Sequence, residues 1–295
     1  MQQTKPEVLV LLATYNGETY LETQLTSLIS QNGVRVRIIA NDDGSTDSTL
    51  TILEKWHLAG HIESISVTPR VGSTKVFLNL LRHAGTAKLV AFSDQDDIWD
   101  LDKLIKLQML VKGNSPLLAY SSRRIIDGQG ELINLPSKIK LIPSFSNALV
   151  ENVVPGNCML INKKAIELIN SFENPDVLHY DSWIYLVISY FGKCEFWPSP
   201  LISYRIHSRN SIGLRKIGIR KQISSVNSYI RQAKYLESQL DGIGSGPNFV
   251  ELQNLLKASY CPNLFLRTIR ILKLKINRKS YIDSLLFKLI LINGT

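Results

Sequence analysis

Cysteine is scarce. Cys158, Cys194 and Cys261 are the three in 295 residues, odd in number, far apart and without a paired metal-binding spacing, so no disulfide framework is expected and a reducing cytoplasm fits best. Apolar runs long enough to span a bilayer are also missing. The stretch before the first apolar run, Met1 to Pro6, is polar where a secretory leader would be hydrophobic. There is neither a Gly-x-Gly-x-x-Gly dinucleotide loop nor a Gly-Lys-Ser/Thr phosphate cradle, which disfavours NAD enzymes and P-loop NTPases. No repeat or low-complexity tract is visible. What remains is an ordinary globular composition, 44% hydrophobic and 20% charged, with a net charge of +9. That charge favours anionic partners, and nucleic acid, nucleotide phosphate and lipid headgroups would each satisfy it.

From Val8 to Ser122 short apolar runs alternate with amphipathic stretches. Val8–Leu12, Arg37–Ala40, Ile62–Val67 and Leu89–Phe92 read as strands buried on both faces. Between them, Leu21, Gln24, Leu25 and Leu28, then Leu50, Leu53 and Trp56, then Phe77, Leu80 and Leu81 recur at helical spacing, and Leu104, Leu107 and Leu110 follow the last run. The pattern predicts an α/β fold with a mostly parallel central sheet covered by helices. The stretch from Arg123 to Asn152 carries little signal. A strand at Met159–Asn162, a helix from near Lys163, a helix over Asp181–Phe191 and strands at Cys194–Trp197 and Leu201–Arg205 follow. Beyond about residue 215 the chain turns to basic amphipathic helices, giving an expected catalytic domain over 1–214 and a C-terminal helical appendage over 215–295.

Ligands of such sheets bind beyond the carboxyl ends of the strands. There the sequence places Thr14-Tyr15-Asn16-Gly17-Glu18, Asn41-Asp42-Asp43-Gly44-Ser45-Thr46-Asp47 and Asp94-Gln95-Asp96-Asp97. The last crowds three carboxylates before Ile98-Trp99, a cost that Mg²⁺ or Mn²⁺ would relieve. The plainer alternative is that one acid caps a helix beginning near Leu101 and the rest are solvated. In the second cluster Ser45 or Thr46 can cap a helix, while Asp42 and Asp43 can accept from a nucleobase or ribose. The Tyr15 ring can stack on a base. Cys158 reads as a packed thiol rather than a nucleophile.

Taken in order, Thr14-Tyr15-Asn16-Gly17, Gln24-Leu25-x-Ser27-Leu28, Asn41-Asp42-Asp43-Gly44-Ser45-x-Asp47 and Asp94-Gln95-Asp96-Asp97-Ile98-Trp99 resemble the family 2 glycosyltransferases of the GT-A fold. Within that family they are similar to the bacterial rhamnosyltransferase-like branch, over about Val8 to Gly213. The resemblance implies Asp96 as metal ligand and Asp94 beside ribose and metal. It implies Asp43 against uracil or thymine, and Ala13, Tyr15 and Asn16 as the wall around the base. Arg70 would face the diphosphate, although asparagine is frequent there, and Val76 replaces another frequent asparagine. The implied donor site extends to Thr14, Glu18, Lys75, Gln95, Gly156, Asn157, Trp183, Arg205 and Arg209.

Attack by an acceptor hydroxyl also needs a base. Asp181, in His179-Tyr180-Asp181-Ser182-Trp183, resembles the family's Asp-x-Trp motif and takes that role, compatibly with capping its helix. His207, in Tyr204-Arg205-Ile206-His207, resembles a segment beside metal and diphosphate and is a further candidate metal ligand; an exposed loop histidine is the alternative. The expected function is metal-dependent inverting transfer of a sugar, first rhamnose from dTDP-rhamnose and otherwise a UDP-hexose, to a hydroxyl of a cell-surface polysaccharide or lipid-linked glycan. A nucleotidyltransferase would need a glycine-rich basic loop after the first strand, which is missing, and a noncatalytic glycan-binding protein is the third reading. The partners expected are the nucleotide-sugar, the glycan acceptor and, through the C-terminal helices, the inner face of the cell membrane, with no nucleic acid; a homodimer stays open.

Overall fold

The structure, a computed structural model, describes residues 5–134, 143–173, 177, 179–207, 219–276, 278 and 280–293. Its internal contacts divide the chain into two units. The first comprises Met1–Ile139, Val154–Ser171 and Gly192–Gly213; the second comprises Lys140–Val153, Phe172–Phe191 and Leu214–Thr295.

Along the chain run β1 (Glu7–Thr14), α1 (Leu21–Ile29), β2 (Arg35–Asp42), α2 (Thr49–Leu58), β3 (Ser64–Val67), α3 (Ser73–Arg82), β4 (Leu89–Ser93), β5 (Ile98–Trp99), α4 (Lys103–Leu110), β6 (Leu117–Ile126) and β7 (Leu132–Asn134). Then come α5 (Phe145–Ala148), β8 (Met159–Asn162), α6 (Lys163–Asn170), α7 (Tyr180–Phe191), β9 (Lys193–Arg205), α8 (Ile219–Gln239), α9 (Gly246–Ser259), α10 (Leu264–Lys273) and α11 (Tyr281–Asn293).

The strands form one sheet in the first unit, in the order β3-β2-β1-β4-β8-β6-β9-β5, with β7 on β6. β1 pairs in parallel with β2 and β4, and β2 with β3. β1 is central, so Val8, Val10 and Leu12 on one face and Leu9 and Leu11 on the other are all buried, which explains its unbroken apolar run. Leu21, Leu25 and Leu28 of α1 and Leu104 and Leu107 of α4 share the core on the first face. On the other, Phe77 of α3 meets Phe92 of β4 edge-on at 5.9 Å.

Three elements differ from the sequence reading. β3 was expected to be buried on both faces; it begins only at Ser64 and is mostly exposed, because it is an edge strand paired with β2 alone. The two strands expected at 194–197 and 201–205 are one strand, β9, carried through Pro198 and Pro200 where its register against β6 shifts; a bulge is where a strand tolerates proline. Finally, Ile98 and Trp99 form a two-residue strand that pairs with Ser203 and Ile202 of β9. This short pairing brings the acidic segment before it against the end of β9.

Candidate active site

The carboxyl ends of β1 and β2 are tied to each other by their own polar residues. Asp42 is buried and accepts from the Thr14 hydroxyl (2.8 Å) and from the Ser45 N–H (2.8 Å) and hydroxyl (2.6 Å). Asn16 adopts φ 47°, a left-handed conformation that asparagine tolerates. From there its N–H donates to Ser45 Oγ (2.8 Å) and its Oδ1 accepts from the Thr46 N–H (2.8 Å). Glu18 accepts from the Ser48 N–H at 3.0 Å. Ser45 therefore braces a loop instead of capping α2, whose first turn is met by Asp47 Oδ1 accepting from the Thr49 N–H at 3.0 Å. Ala13 is half-buried within β1.

Gln95 joins this assembly to the acidic segment. Its Oε1 accepts from the Tyr15 N–H (2.7 Å) and its Nε2 donates to the Tyr15 carbonyl (2.8 Å). Gly17 makes room: a Cβ there would lie 2.2 Å from Gln95 Oε1. Thr14, Asn16, Glu18 and Gln95, read from the sequence as donor contacts, thus have polar atoms committed to neighbouring loop residues.

Asp43 is buried, and both its oxygens are used: Oδ1 accepts from the Val71 N–H (2.8 Å) and the Thr68 hydroxyl (3.1 Å), and Oδ2 from the Gly72 N–H (2.8 Å). The carboxylate fixes the turn between β3 and α3, which carries Arg70. That guanidinium lies 3.7 Å over the Tyr15 ring, an attraction between cation and π-face. Arg70 is exposed, as is Lys75 in the first turn of α3.

In the acidic segment the carboxylates have different surroundings. Asp97 is 0% exposed; it accepts from Asn157 Nδ2 at 2.6 Å and from the Arg205 N–H at 3.2 Å. Behind it, Lys103 is also fully buried, donates to the Asn157 carbonyl and sits 3.1 Å from the Trp99 ring centroid. Burial pushes the Lys103 ammonium down to about 7, against the pull of Cys158, Asp97 and Asp94. Burial also raises Asp97, opposed by the bonds from Asn157 and Arg205.

Asp96 is turned the other way, its Oδ2 lying 2.8 Å from His207 Nε2, with each side chain 13% exposed. Burial first, and the charge of Asp97 second, raise Asp96 well above the usual carboxylate range. Tyr20 packs its ring 4.9 Å from the His207 ring and 4.6 Å from the Arg205 guanidinium. Asp94 is half-buried at the end of β4. Because α4 starts only at Lys103, these acids do not cap it.

Two residues read from the sequence as donor contacts lie behind the acidic turn. Arg205, expected to face phosphate, is buried and donates to the carbonyls of Asp96 (3.0 Å), Asp127 (3.2 Å) and Gly128 (3.2 Å), which hold the acidic turn in place. Asn157, expected to touch the donor, is buried behind Asp97, in the tight turn Gly156–Cys158 that also buries Gly156. Cys158 is buried too, and its thiol is raised to about 11 by burial, consistent with a packed side chain and not a nucleophile. Lys103 and Tyr20 carry no site signal in the sequence, and Asp42, read there as a possible acceptor from base or ribose, braces the loop instead.

The donor set suits a hard cation. Two neighbouring ligands of an octahedral ion with bonds of about 2.1 Å lie about 3 Å apart, close to the Asp96–His207 separation. Among the described residues no group of three or more His, Cys, Asp or Glu side chains is placed to hold a metal ion, so Asp96 and His207 stand as a pair. An oxygen and an imidazole nitrogen, with the remaining positions left for phosphate and water, match Mg²⁺ or Mn²⁺ chemistry.

In the second unit, Asp181 lies in the first turn of α7, half-buried, and its Oδ1 accepts from the Ser182 N–H at 2.8 Å. Trp183, read as a donor contact, is fully buried between Phe172 (5.2 Å) and Tyr235 (5.4 Å), where it packs the unit's core. Arg209 lies outside the described residues.

A parallel half-sheet whose strand ends meet an acidic segment with a histidine against it defines a nucleotide-sugar-transferase type of scaffold, and the comparisons agree. Residues 9–169 match the Glycosyl transferase family 2 model, and the chain belongs to that family. It is similar to the dTDP-rhamnosyl transferase RfbG of Shigella flexneri, 28% identical over 261 residues, spanning 78% of this chain and 88% of the relative. Its fold is that of GT-A glycosyltransferases. S. aureus TarS 1-349 in complex with UDP-GlcNAc superposes with a TM-score of 0.64 at 14% identity, over 90% of this chain and 78% of that one. The mannosyltransferase PcManGT from Pyrobaculum calidifontis, in complex with GDP-Man and Mn²⁺, gives 0.60 at 16% identity, over 96% of this chain and 78% of the other. Among the described residues no helix is long and apolar enough to cross a membrane.

Proposed function

We propose that this glycosyltransferase moves rhamnose from dTDP-rhamnose, with inversion, to a hydroxyl of a polysaccharide or lipid-linked glycan, and that it depends on Mn²⁺ or Mg²⁺. The observation that carries the metal is the 2.8 Å approach of Asp96 and His207. The rhamnose assignment is supported by the similarity to the Shigella flexneri dTDP-rhamnosyl transferase.

Asp96 and His207 would hold the cation, with Asp94 as a further candidate beside them, and the ion would supply charge stabilisation to the departing diphosphate. Tyr15, Ala13 and Asn16 border the base, and Asp43 receives its N–H at Oδ2, which accepts one bond in the turn where Oδ1 accepts two. Arg70, exposed over Tyr15, closes on phosphate, with Lys75 behind it. Gly156 lets backbone approach the sugar. Asp181 takes the acceptor proton, its carboxylate steered by the Ser182 N–H and favoured at a helix amino terminus.

The test is nucleoside-diphosphate release from a panel of donors, with Mn²⁺ and lipid-linked acceptors. Release from dTDP-rhamnose supports the reading. Release from a UDP-hexose alone replaces the donor, and release unaffected by a chelator removes the cation. For the base, Asp181→Asn is expected to keep donor affinity within about twofold and lower transfer by about 10²–10⁴; near-normal turnover would remove it from the reaction.

A further inference from the structure

The two last helices of the second unit each have one covered face and one apolar face left open. In α10 the buried side chain is Ile271, while Phe265 (73% exposed) and Leu272, seven apart with Ile269 between them, form a stripe on another face. In α11 Phe287, Ile290 and Leu291 are buried, and Tyr281 (84% exposed), Ile282, Leu285 and Leu289 line the opposite side. A helix apolar all round belongs in a core or a membrane. At 13 residues α11 is about 20 Å long, short of the roughly 30 Å of a bilayer's hydrocarbon. It can lie in a bilayer surface but not cross it.

Charge completes the pattern. Between residues 261 and 293 the sequence has seven cations, Arg267, Arg270, Lys273, Lys275, Arg278, Lys279 and Lys288, against the single acid Asp283. Arg267 and Arg270 donate to the carbonyls of Cys261 (2.6 Å) and Lys257 (3.2 Å), and Lys288 to that of Leu272 (3.3 Å). Such bonds orient the side chains and leave their charges unneutralised. A second copy of the chain is a poor occupant, because a twofold contact would set like charges against each other.

We propose that α10 and α11 dock the enzyme on an anionic phospholipid surface, with Phe265, Leu272, Ile282, Leu285 and Leu289 inserted at the headgroup boundary and the lysines and arginines against phosphate. This holds independently of the donor and of the metal. Interfacial helices bind by such a combination of apolar area and cationic flank.

The full chain is incubated with vesicles of phosphatidylcholine alone and of phosphatidylcholine mixed with phosphatidylglycerol, at low and high salt, and the pelleted fraction is measured. Binding is expected only with phosphatidylglycerol and is weakened by salt. Lys273→Gln with Lys275→Gln lowers the partition coefficient by about 25-fold, at about fivefold per cation. Ile282→Ser with Leu285→Ser lowers it at least about tenfold. Both pairs are surface changes expected to keep the thermal transition and the nucleoside-diphosphate release of the parent without vesicles. Equal binding to both vesicle types, or none, overturns the proposal. So does a dimer in light scattering that dissociates on Ile282→Ser with Leu285→Ser.

Discussion

Neighbouring aspartates in this site do different work. Asp97 is enclosed and receives two bonds, so Asp97→Ala leaves Asn157 Nδ2 and the Arg205 N–H without that acceptor and Lys103 without its nearby counter-charge. A loss of about 3–5 kcal/mol is expected in urea denaturation. Asp96→Asn should leave stability unchanged or higher, because it removes a desolvated carboxylate beside Asp97, while calorimetric Mn²⁺-supported donor binding is lost. Equal destabilisation by both would remove the distinction. The pH dependence follows with opposite signs. Asp96 has its folded pKa raised to about 7 from 3.8, so the native metal-free chain binds the extra proton in between, and stability falls as pH rises across that window. Lys103 is lowered to about 7 from 10.5, so the unfolded chain holds the extra proton above 7, and stability rises from there. Thermal denaturation without metal should show the fall with rising pH in the parent and a weaker one in Asp96→Asn, where the raised Asp97 alone contributes it.

Between elements, Gly17 and Gln95 couple the end of β1 to the loop after β4. Gly17→Ala drives a Cβ into Gln95, which must give up the Tyr15 peptide; a cost of about 1–3 kcal/mol is expected. Adding Gln95→Ala should recover part of it, and no recovery would place the strain elsewhere. Much of this architecture is legible in the sequence, since apolar runs followed by Asp, Asn and Gly mark strand ends directly. The acidic segment, Tyr15 and His207 are found that way. Lys103 is not, because a lysine in a helical repeat reads as a solvated charge until Trp99 and Asn157 close over it. Arg205 and Asn157 are legible as polar residues near the site, but their shared partner Asp97 lies 60 residues from Asn157 and 108 from Arg205, and only the β5–β9 pairing decides that they support the acids from behind. β5 itself, two residues long, has no periodicity to detect.

At the scale of the whole chain, each unit is assembled from separated segments. Within the second, Trp183 packs on Tyr235 of α8, and the Ser182 hydroxyl donates to Gln232 at 3.0 Å. A chain ending at residue 214 keeps α7 without the α8 surface that buries it, and is expected to aggregate and bind a hydrophobic dye; a monomeric, dye-free product would show that α7 finds other cover. The strand order has a consequence for synthesis. β8 lies between β4 and β6, and β9 between β6 and β5, so the ribosome must release residues 159–205 before the sheet can close. His207 emerges on the order of ten seconds after Asp96 at elongation rates of about 5–20 residues per second. Until then the acidic segment waits beside a half-built sheet, and the Asp96–His207 pair is among the last features of the first unit to come into being, ahead of α8 to α11.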